Sequence, residues 1–386
     1  MKIIVLIAVF IVSYFIAIPK NSAYNFLVAP QDLKSDFSSN VNHPLKKSKK
    51  NTLTDNTLRE AYKNYFLVGV AINPEIDLKD KMRADLIKKQ FSYICAKRAL
   101  QPYALHPKEN VFNWTAGNTL LNFAESNNMK VMGSFLVWYR ENHMPDWFYK
   151  GGDKTVSKQL LLKRLKDHID TVLTHYKGKI YTWNVVNEAI SNKNGMLFNP
   201  ADSLYKIAGE DYITKAFEYA RAADPNAQLF YNDFMYDQTK SDNMYRLIKK
   251  WKEAGVPIDG IGLECHYGID GINAQLLQQA IDRFSALGLK IQITELDVSI
   301  YKRNAKPADI LSENFNSNIR KTQAEIYKQL FEIFRKNKGK ITGVTLFGAD
   351  DGQESYLTTK LKKSNYPYIF DQSKQPKEAF ESIVNF

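Results

Sequence analysis

Two glutamates in this sequence stand at the ends of apolar segments. Glu188 closes the segment WNVVNE, and Glu295 lies in IQITELDV. A carboxyl group placed where a buried strand ends is partly removed from water, which favours its neutral form and raises its pKa. One such residue is more typical of a helix cap or a solvated turn, whereas two in matching contexts are typical of the carboxyl pair of a glycosidase. The sequence therefore predicts a site that cleaves a glycosidic bond.

Polar residues near the two glutamates could orient them. Asn187 directly precedes Glu188, and its amide could bind a sugar hydroxyl as positive charge develops on the ring. We expect Asp297 and His266 to lie near Glu295, where they could orient it and hold its charge. Taken alone, His266 is more typical of a hydrogen-bonded core histidine. Its place at the end of a predicted strand is what favours a role in the site.

Apolar runs of strand length recur eight times, and the gaps between them carry helical patterns of apolar residues. The runs cover residues 66–72, 91–96, 130–138, 180–186, 228–231, 258–265, 290–294 and 341–347. This alternation predicts an α/β protein with a single (β/α)8 TIM barrel. On that fold Glu188 ends the fourth strand and Glu295 ends the seventh. Both would then lie at the carboxyl ends of the strands, where the active sites of such barrels are found.

A doubly wound open sheet is the alternative fold. A dinucleotide-binding sheet needs a glycine-rich loop after its first strand, and here Gly69 is followed by Val70 and Ala71. The predicted barrel also places two tryptophans at different points along their strands. Trp138 lies at a predicted strand end, where its ring could stack on a sugar, whereas Trp183 lies in the middle of a strand and is more typical of a core aromatic.

The chain has 386 residues, of which 44% are hydrophobic, and a net charge of +12. Its lysines cluster between residues 31 and 57 or recur at helical spacing, which favours a solvated basic surface over a nucleic-acid site. Cys95 and Cys265 fall in the second and sixth predicted strands, which lie on opposite sides of a barrel, so we expect buried free thiols rather than a disulfide. Neither cysteine belongs to a zinc-ligand pattern, and no metal or cofactor is predicted.

The N-terminal region differs from the rest of the chain. Lys2 is followed by an almost wholly apolar run to Ile18, and small residues come next. This pattern predicts a signal peptide over residues 1–23, with an uncleaved membrane anchor as the alternative. Residues 24–57 are rich in Asn, Ser, Lys and Thr and are predicted to form a flexible tether before a folded domain at 58–386. We accordingly expect a secreted monomer.

Several segments, in their order and spacing, resemble glycoside hydrolase family 10. They are WNVVNEAI, ITELDV, LFYND, GIGLECH, the pair LVW and PDW, and the closing IFDQSKQPKEAF, so the resemblance spans about 58–386. The best-known members of that family are retaining endo-β-1,4-xylanases. The resemblance implies that Glu188 is the acid/base and Glu295 the nucleophile. It also implies that the partner is a polysaccharide, namely xylan or a related plant or algal glycan.

The sequence departs from that family in the glycone pocket. Lys97, Arg98 and Gln101 stand where the family usually has Glu, Asn and Lys, and two histidines of the third strand are replaced. Glu264 replaces a glutamine, and Phe347 stands in place of a tryptophan. The positions expected to contact substrate, from the site pattern and the resemblance together, are Asn187, His266, Trp138, Lys97, Arg98, Gln101, Glu264 and Phe347, with Asp297 behind them.

Three functions fit these observations. The first is a retaining endo-xylanase acting on neutral xylan. The second is the same reaction on a glycan that carries uronate or sulfate groups, which Lys97 and Arg98 could bind. Either cation could instead simply pair with Glu264 and leave the pocket filled. The third is a carbohydrate-binding barrel that has lost turnover, and the retention of both glutamates argues against it.

Overall fold

The structure is a computed structural model that describes residues 56–140, 143–193, 195–305, 315–353, 355, 358 and 363–386. The predicted signal peptide and all but the last residues of the predicted tether lie outside these ranges, so both stay predictions. Among the described residues, no helix combines the length and the apolar character needed to cross a membrane.

Eight parallel strands in the described ranges form a closed barrel. They are β1 (Leu67–Ile72), β2 (Tyr93–Ala96), β3 (Lys130–Trp138), β4 (Thr182–Asn187), β5 (Gln228–Phe234), β6 (Gly260–Glu264), β7 (Lys290–Ser299) and β8 (Ile341–Leu346). Each strand pairs with the next one in the sequence, and β8 closes the barrel against β1. The predicted (β/α)8 barrel is confirmed, and the closed ring excludes the open-sheet alternative.

Helices occupy the connections between the strands and also lie before the first strand and after the last one. Their bounds are α1 (Leu58–Ala61), α2 (Pro74–Asp77), α3 (Lys81–Gln90), α4 (Pro102–Leu105), α5 (Thr115–Ser126), α6 (Lys158–Tyr176), α7 (Ser203–Ala208), α8 (Asp211–Ala223), α9 (Gln238–Glu253), α10 (Ala274–Ala286), α11 (Ser317–Lys336) and α12 (Glu378–Val384). A short 3-10 turn at Asp146–Phe148 and a small hairpin of Lys150–Gly151 with Lys154–Thr155 lie between β3 and α6.

Helix α6 illustrates how local sequence sets these elements. The side chain of Ser157 accepts a hydrogen bond from the backbone N–H of Leu160, which satisfies one of the unpaired donors of the first turn. The apolar residues of the helix recur at helical spacing and are buried in the main core, at Leu161, Leu165, Ile169, Val172 and Leu173. Burial of this one face therefore holds α6 in place.

The structure corrects the predicted position of Glu295. The sequence places it at the end of β7, but β7 continues past it as far as Ser299. The outer residues of β7 pair with a short strand at His266–Gly268. The register between β7 and β8 shifts beyond Ile293, so Glu295 lies at an irregular point within the strand. Glu188, in contrast, is the first residue after β4, as the sequence predicts.

Both cysteines are buried free thiols, as predicted. Cys95 lies in β2, and Cys265 directly follows β6. Burial raises the pKa of each thiol to about 12, so both stay protonated at neutral pH. Their role is therefore that of small core residues.

A buried histidine pair lies between the C-terminal end of α4 and the inner face of α6. The Nδ1 atoms of His106 and His168 are 3.1 Å apart, and both rings are buried among aromatic side chains such as Phe112 and Phe148. Burial lowers the pKa of His106 to about 4. It lowers the pKa of His168 to about 3, with a further contribution from the neighbouring His106. Both rings are therefore neutral in the folded protein above pH 5.

We predict that this pair makes the protein sensitive to acid. Below about pH 6.5 the histidines of the unfolded chain become protonated while the folded pair stays neutral, so the free energy of unfolding falls by up to about 1.4 kcal/mol per pH unit and histidine. Urea denaturation between pH 7.5 and 4.5 measures this slope. His168→Phe should reduce the slope, and an unchanged slope would show that other groups cause the acid sensitivity.

Candidate active site

Glu188 has an unusual backbone conformation just beyond β4. Its φ of 51° lies in the left-handed region, which residues with a side chain rarely adopt. Its N–H donates a hydrogen bond to the carbonyl oxygen of Asn232 at 2.9 Å. The residue is 9% exposed, and its carboxylate contacts the guanidinium of Arg140. Burial raises the pKa of Glu188 to about 7, although Arg140 acts in the opposite direction. Glu188 is therefore protonated below neutral pH, as a general acid must be.

Glu295 is bound to a charged histidine. The Nε2 of His266 lies 3.1 Å from Oε2 of Glu295, and its Nδ1 lies 3.0 Å from Oδ2 of Asp297. Burial opposes the positive charge on His266, but the two carboxylates outweigh it and raise the pKa of His266 well above its usual value. The imidazolium donates from both nitrogens, so it fixes the position of the Glu295 carboxylate and stabilises its charge.

Asn232, on the outer part of β5, connects the two glutamates. Its side-chain nitrogen donates to Oδ1 of Asn187 at 2.7 Å, to Oε1 of Glu264 at 3.0 Å and to Oε1 of Glu295 at 3.1 Å. Its backbone carbonyl accepts the N–H of Glu188. One residue therefore sets the position of the Glu295 side chain and of the Glu188 backbone. Because an amide nitrogen carries two hydrogens, these three oxygens must share them.

Glu264 is a buried acid beside this network. Burial raises its pKa well above the usual range of a glutamate, and the charges of Glu295 and Glu188 raise it further. The neutral form of Glu264 is therefore favoured. A neutral carboxyl group adds no negative charge next to Glu295 and can still accept the hydrogen bond of Asn232.

Glu264, His266 and Glu295 also bring one nitrogen or oxygen atom each within 4.8 Å of one another. Such a set could hold a cation. Both ring nitrogens of His266 already contact carboxylate oxygens, and Asn232 donates to both glutamates. The hydrogen bonds among the residues themselves account for this grouping.

The comparison with known families agrees with this geometry. The family model of glycosyl hydrolase family 10 matches residues 57–386. The chain belongs to glycosyl hydrolase family 10. This membership confirms the resemblance seen in the sequence, and the protein is a glycosidase.

Individual relatives cover the barrel at moderate identity. A beta-1,4-xylanase of Dictyoglomus thermophilum is 39% identical over 339 residues, which are 86% of this chain and 91% of the relative. The crystal structure of xylanase XynB from Paenibacillus barcinonensis superposes with a TM-score of 0.80 at 32% identity, covering 85% of this chain and 98% of that one. Some relatives are longer: the match takes up 27% of endo-1,4-beta-xylanase A of Thermoanaerobacterium saccharolyticum, which is 38% identical over 339 residues.

In this family 10 chain, a histidine that sequence reasoning missed lies on the predicted stacking tryptophan. The His143 ring is 3.7 Å from the ring of Trp138, which is half-buried at the end of β3. Burial lowers the pKa of His143 to about 4, so the ring is neutral. Its Nδ1 lies 2.7 Å from Oε1 of Gln101, and the Nε2 of Gln101 donates to the carbonyl oxygen of Lys97. Gln101 is buried and holds the His143 ring, which lies against Trp138. Trp183 is a buried core residue.

The two basic residues of the altered glycone pocket lie in different environments. The Lys97 ammonium is half-buried above the rings of Phe347 and Tyr368, at 5.1 and 5.7 Å. Burial lowers the pKa of Lys97 to about 8. Arg98 is exposed. The Phe347 ring also packs edge-on against His266, with ring centres 4.9 Å apart. Lys97 therefore packs against the aromatic side chains of the site.

Three further residues of the site carried no functional assignment from sequence. Asn232 and Asp233 follow the apolar run LFY just as Asn187 and Glu188 follow an apolar run, and this parallel was a usable signal. Asp233 is fully buried and forms an ion pair with buried Lys240 at 2.8 Å. No local sequence pattern marks Arg140, because it follows β3 whereas Glu188, which it contacts, follows β4.

We predict that activity on an unactivated glycan falls as pH rises through about 7. The pKa of Glu188 is raised, so the acid form is present below pH 7 and is lost above it. The dependence of kcat and kcat/KM on pH, measured from pH 5 to 9, gives this alkaline limb, that is, the fall in activity at high pH. An aryl glycoside with a good leaving group serves as the control, because its cleavage needs no proton and should decline less. A limb centred near pH 5 would contradict the assignment of Glu188.

Proposed function

We propose that this protein is a secreted, retaining, endo-β-1,4-xylanase-like glycoside hydrolase that cleaves xylan or a related plant or algal polysaccharide. The observation that carries the proposal is the arrangement around Asn232, which bonds to Glu295 through its side chain and to Glu188 through its backbone. Asn232 thereby holds both Glu188 and Glu295 in position. The relatives named above are xylanases by description, which supports xylan as the substrate class.

The reaction follows from these two carboxyl groups. Glu295 attacks the anomeric carbon while Glu188 gives its proton to the leaving oxygen, so the glycosidic bond breaks and a glycosyl ester of Glu295 forms. Glu188 is then ionised and takes a proton from water as that water attacks the same carbon. The ester bond breaks, Glu295 is free again, and Glu188 is reprotonated. The sugar keeps its anomeric configuration because it is inverted twice.

Neighbouring residues supply position and charge. The imidazolium of His266 fixes the position of the Glu295 carboxylate before attack. Asn187 is buried, and its Nδ2 has no hydrogen-bond partner among the described residues, whereas its Oδ1 accepts from Asn232. That free donor suits a hydroxyl of the sugar that Glu295 attacks. Trp138, which is half-buried, offers a ring face for stacking.

One alternative from the sequence is weaker. A barrel that binds carbohydrate without turnover would not need a glutamate pKa near 7 beside a carboxylate held by an imidazolium. Secretion rests on the apolar N-terminal run alone. Mass spectrometry of the exported protein would test it by giving the mature N-terminus.

Product analysis on a polysaccharide panel tests the proposed function. We expect xylan to yield a series of short oligosaccharides from internal cleavage, and proton NMR of the first products to show the β-anomer. A cellulose-type or mixed-linkage glucan on the same panel should be cleaved much more slowly. Release of the α-anomer first, or no cleavage of any xylan, would contradict the proposal.

A further inference from the structure

A positively charged residue, Arg140, lies next to Glu188, the proposed general acid. Its guanidinium contacts the carboxylate of Glu188, hydrogen-bonds to Tyr139 and lies 5.7 Å from the ring of Trp138. The Arg140 side chain is 49% exposed, whereas that of Glu188 is 9% exposed. The cation therefore covers the acid from the open side of the cleft.

This contact works against catalysis. A guanidinium stabilises the ionised form of a carboxylate, and ionised Glu188 cannot protonate a leaving group. Other titratable groups facing Glu188 are Asp233, Glu295, Glu264, Tyr139 and Lys240; Asp233 and Glu295 raise the pKa of Glu188, and Lys240 lowers it. Lys240 is fully buried and paired with Asp233, so it stays in place. Arg140 is the cation whose half-exposed side chain can turn to another partner.

We propose that Arg140 binds a carboxylate or sulfate group on the sugar at the acid/base side of the cleaved bond, and that this binding releases Glu188 for proton transfer. The inference rests on the proposed function, because it takes Glu188 as the acid. A planar guanidinium matches the two oxygens of a carboxylate or sulfate with parallel hydrogen bonds. An anionic substrate thus exchanges one ion pair for another, whereas a neutral substrate leaves Arg140 on Glu188.

Lys97 and Arg98 are less suited to this role than the sequence predicts. Lys97 lies over two aromatic rings, and burial lowers its pKa to about 8, which weakens its positive charge at mildly alkaline pH. Arg98 is exposed. The Arg140 side chain is half-exposed, so a ligand can reach it, and it contacts Glu188 directly. Binding of a ligand to Arg140 therefore affects proton transfer from Glu188.

The test compares matched oligosaccharides on wild type, Arg140→Gln and Arg140→Lys. The substrates are unsubstituted xylo-oligosaccharides, the same oligosaccharides bearing glucuronic acid, and a sulfated oligosaccharide. We expect wild type to prefer an acidic substrate in kcat/KM by about tenfold, as a charge-assisted hydrogen-bond pair would give. Arg140→Gln should remove this preference by slowing cleavage of the acidic substrate and, near and above pH 7, speeding cleavage of the neutral one, and Arg140→Lys should keep part of the preference. Which acidic substrate is preferred distinguishes a carboxylate from a sulfate.

Two controls separate this effect from general charge. Lys163→Gln removes one positive charge from the exposed face of α6, where Lys163 pairs with Asp167, and should leave both activities unchanged. In Arg140→Gln the alkaline limb of kcat/KM on neutral substrate should move to higher pH, because a cation beside Glu188 is gone. A merely structural role for Arg140 would not move that limb.

Several results would overturn the inference. If the inference is correct, wild type cleaves neutral oligosaccharides more slowly than acidic ones, so a preference for neutral substrate contradicts it. Equal loss on both substrates in Arg140→Gln, or loss of the preference in Arg98→Gln instead, contradicts it as well. Hydrolysis of an aryl xylobioside by wild type is measured in parallel. Absence of that activity and of all glycan cleavage would refute the proposed function itself, which is a separate outcome.

Discussion

Replacing Glu295 by alanine is expected to abolish turnover of every substrate, whatever its leaving group. In the proposed mechanism Glu295 forms the bond to the anomeric carbon, and among the described residues its carboxylate contacts both the imidazolium of His266 and the amide of Asn232. The loss should reduce kcat to the background of the uncatalysed reaction, while the fold is kept. Hydrolysis of xylan and of an aryl xylobioside, with circular dichroism as the check on folding, measures both points.

The matching change at Glu188 should have a different signature. Glu188→Ala is expected to lower kcat/KM on xylan by about 10²–10⁴-fold, the usual contribution of general acid catalysis. Formation of the glycosyl ester from an activated aryl glycoside should persist, because that leaving group departs without a proton. Glu218→Ala, which removes an exposed glutamate of α8 paired with Lys215, is the control and should behave as wild type. Equal losses for Glu188→Ala on both substrates would contradict its role as the acid.

Replacing Asn232 by alanine should damage both the site and the fold. The change removes the donor shared by Asn187, Glu264 and Glu295. Buried acceptors without a donor cost about 1–3 kcal/mol of unfolding free energy. A displaced nucleophile would lower kcat by about 10²-fold. Urea denaturation and xylan kinetics give the two numbers.

A second variant at this position separates hydrogen bonding from packing, and a variant at an exposed position is the control. Asn232→Asp keeps the shape of the side chain but removes the donor and adds a charge among buried acids, so it should be at least as harmful as alanine. Asn226→Ala, at an exposed position just before β5, should change neither stability nor rate. A harmless Asn232→Asp would mean that the side chain only fills space.

The barrel and the pair of glutamates at its site could be predicted from sequence because both depend on local patterns. Eight apolar runs with helical gaps leave few folds, and a polar Asn-Glu after a buried run marks the end of β4 whatever surrounds it. Glu295 was placed correctly in β7 but not at its end. The continuation of β7 depends on pairing with the short strand after β6, and no residue within β7 itself signals that pairing.

The supporting contacts could not be predicted because they join residues from different strand loops. Arg140 contacts Glu188, and His143 hydrogen-bonds to Gln101, only after the loops of three strands converge. The sequence left open whether Lys97 or Arg98 pairs with Glu264. The structure shows that the amide of Asn232 donates a hydrogen bond to Glu264. Residues that look similar in the sequence therefore lie in different structural environments.

Trapping of the covalent intermediate tests the central assignment most directly. A xylobioside with a good leaving group, and with fluorine in place of the ring hydroxyl next to the anomeric carbon, forms the glycosyl ester quickly and loses it slowly. We predict that the intact protein gains the mass of one fluorinated xylobiosyl group and that peptide mapping locates this group on Glu295. A label on Glu188 or Glu264, or an unlabelled protein after complete release of the leaving group, would contradict the account.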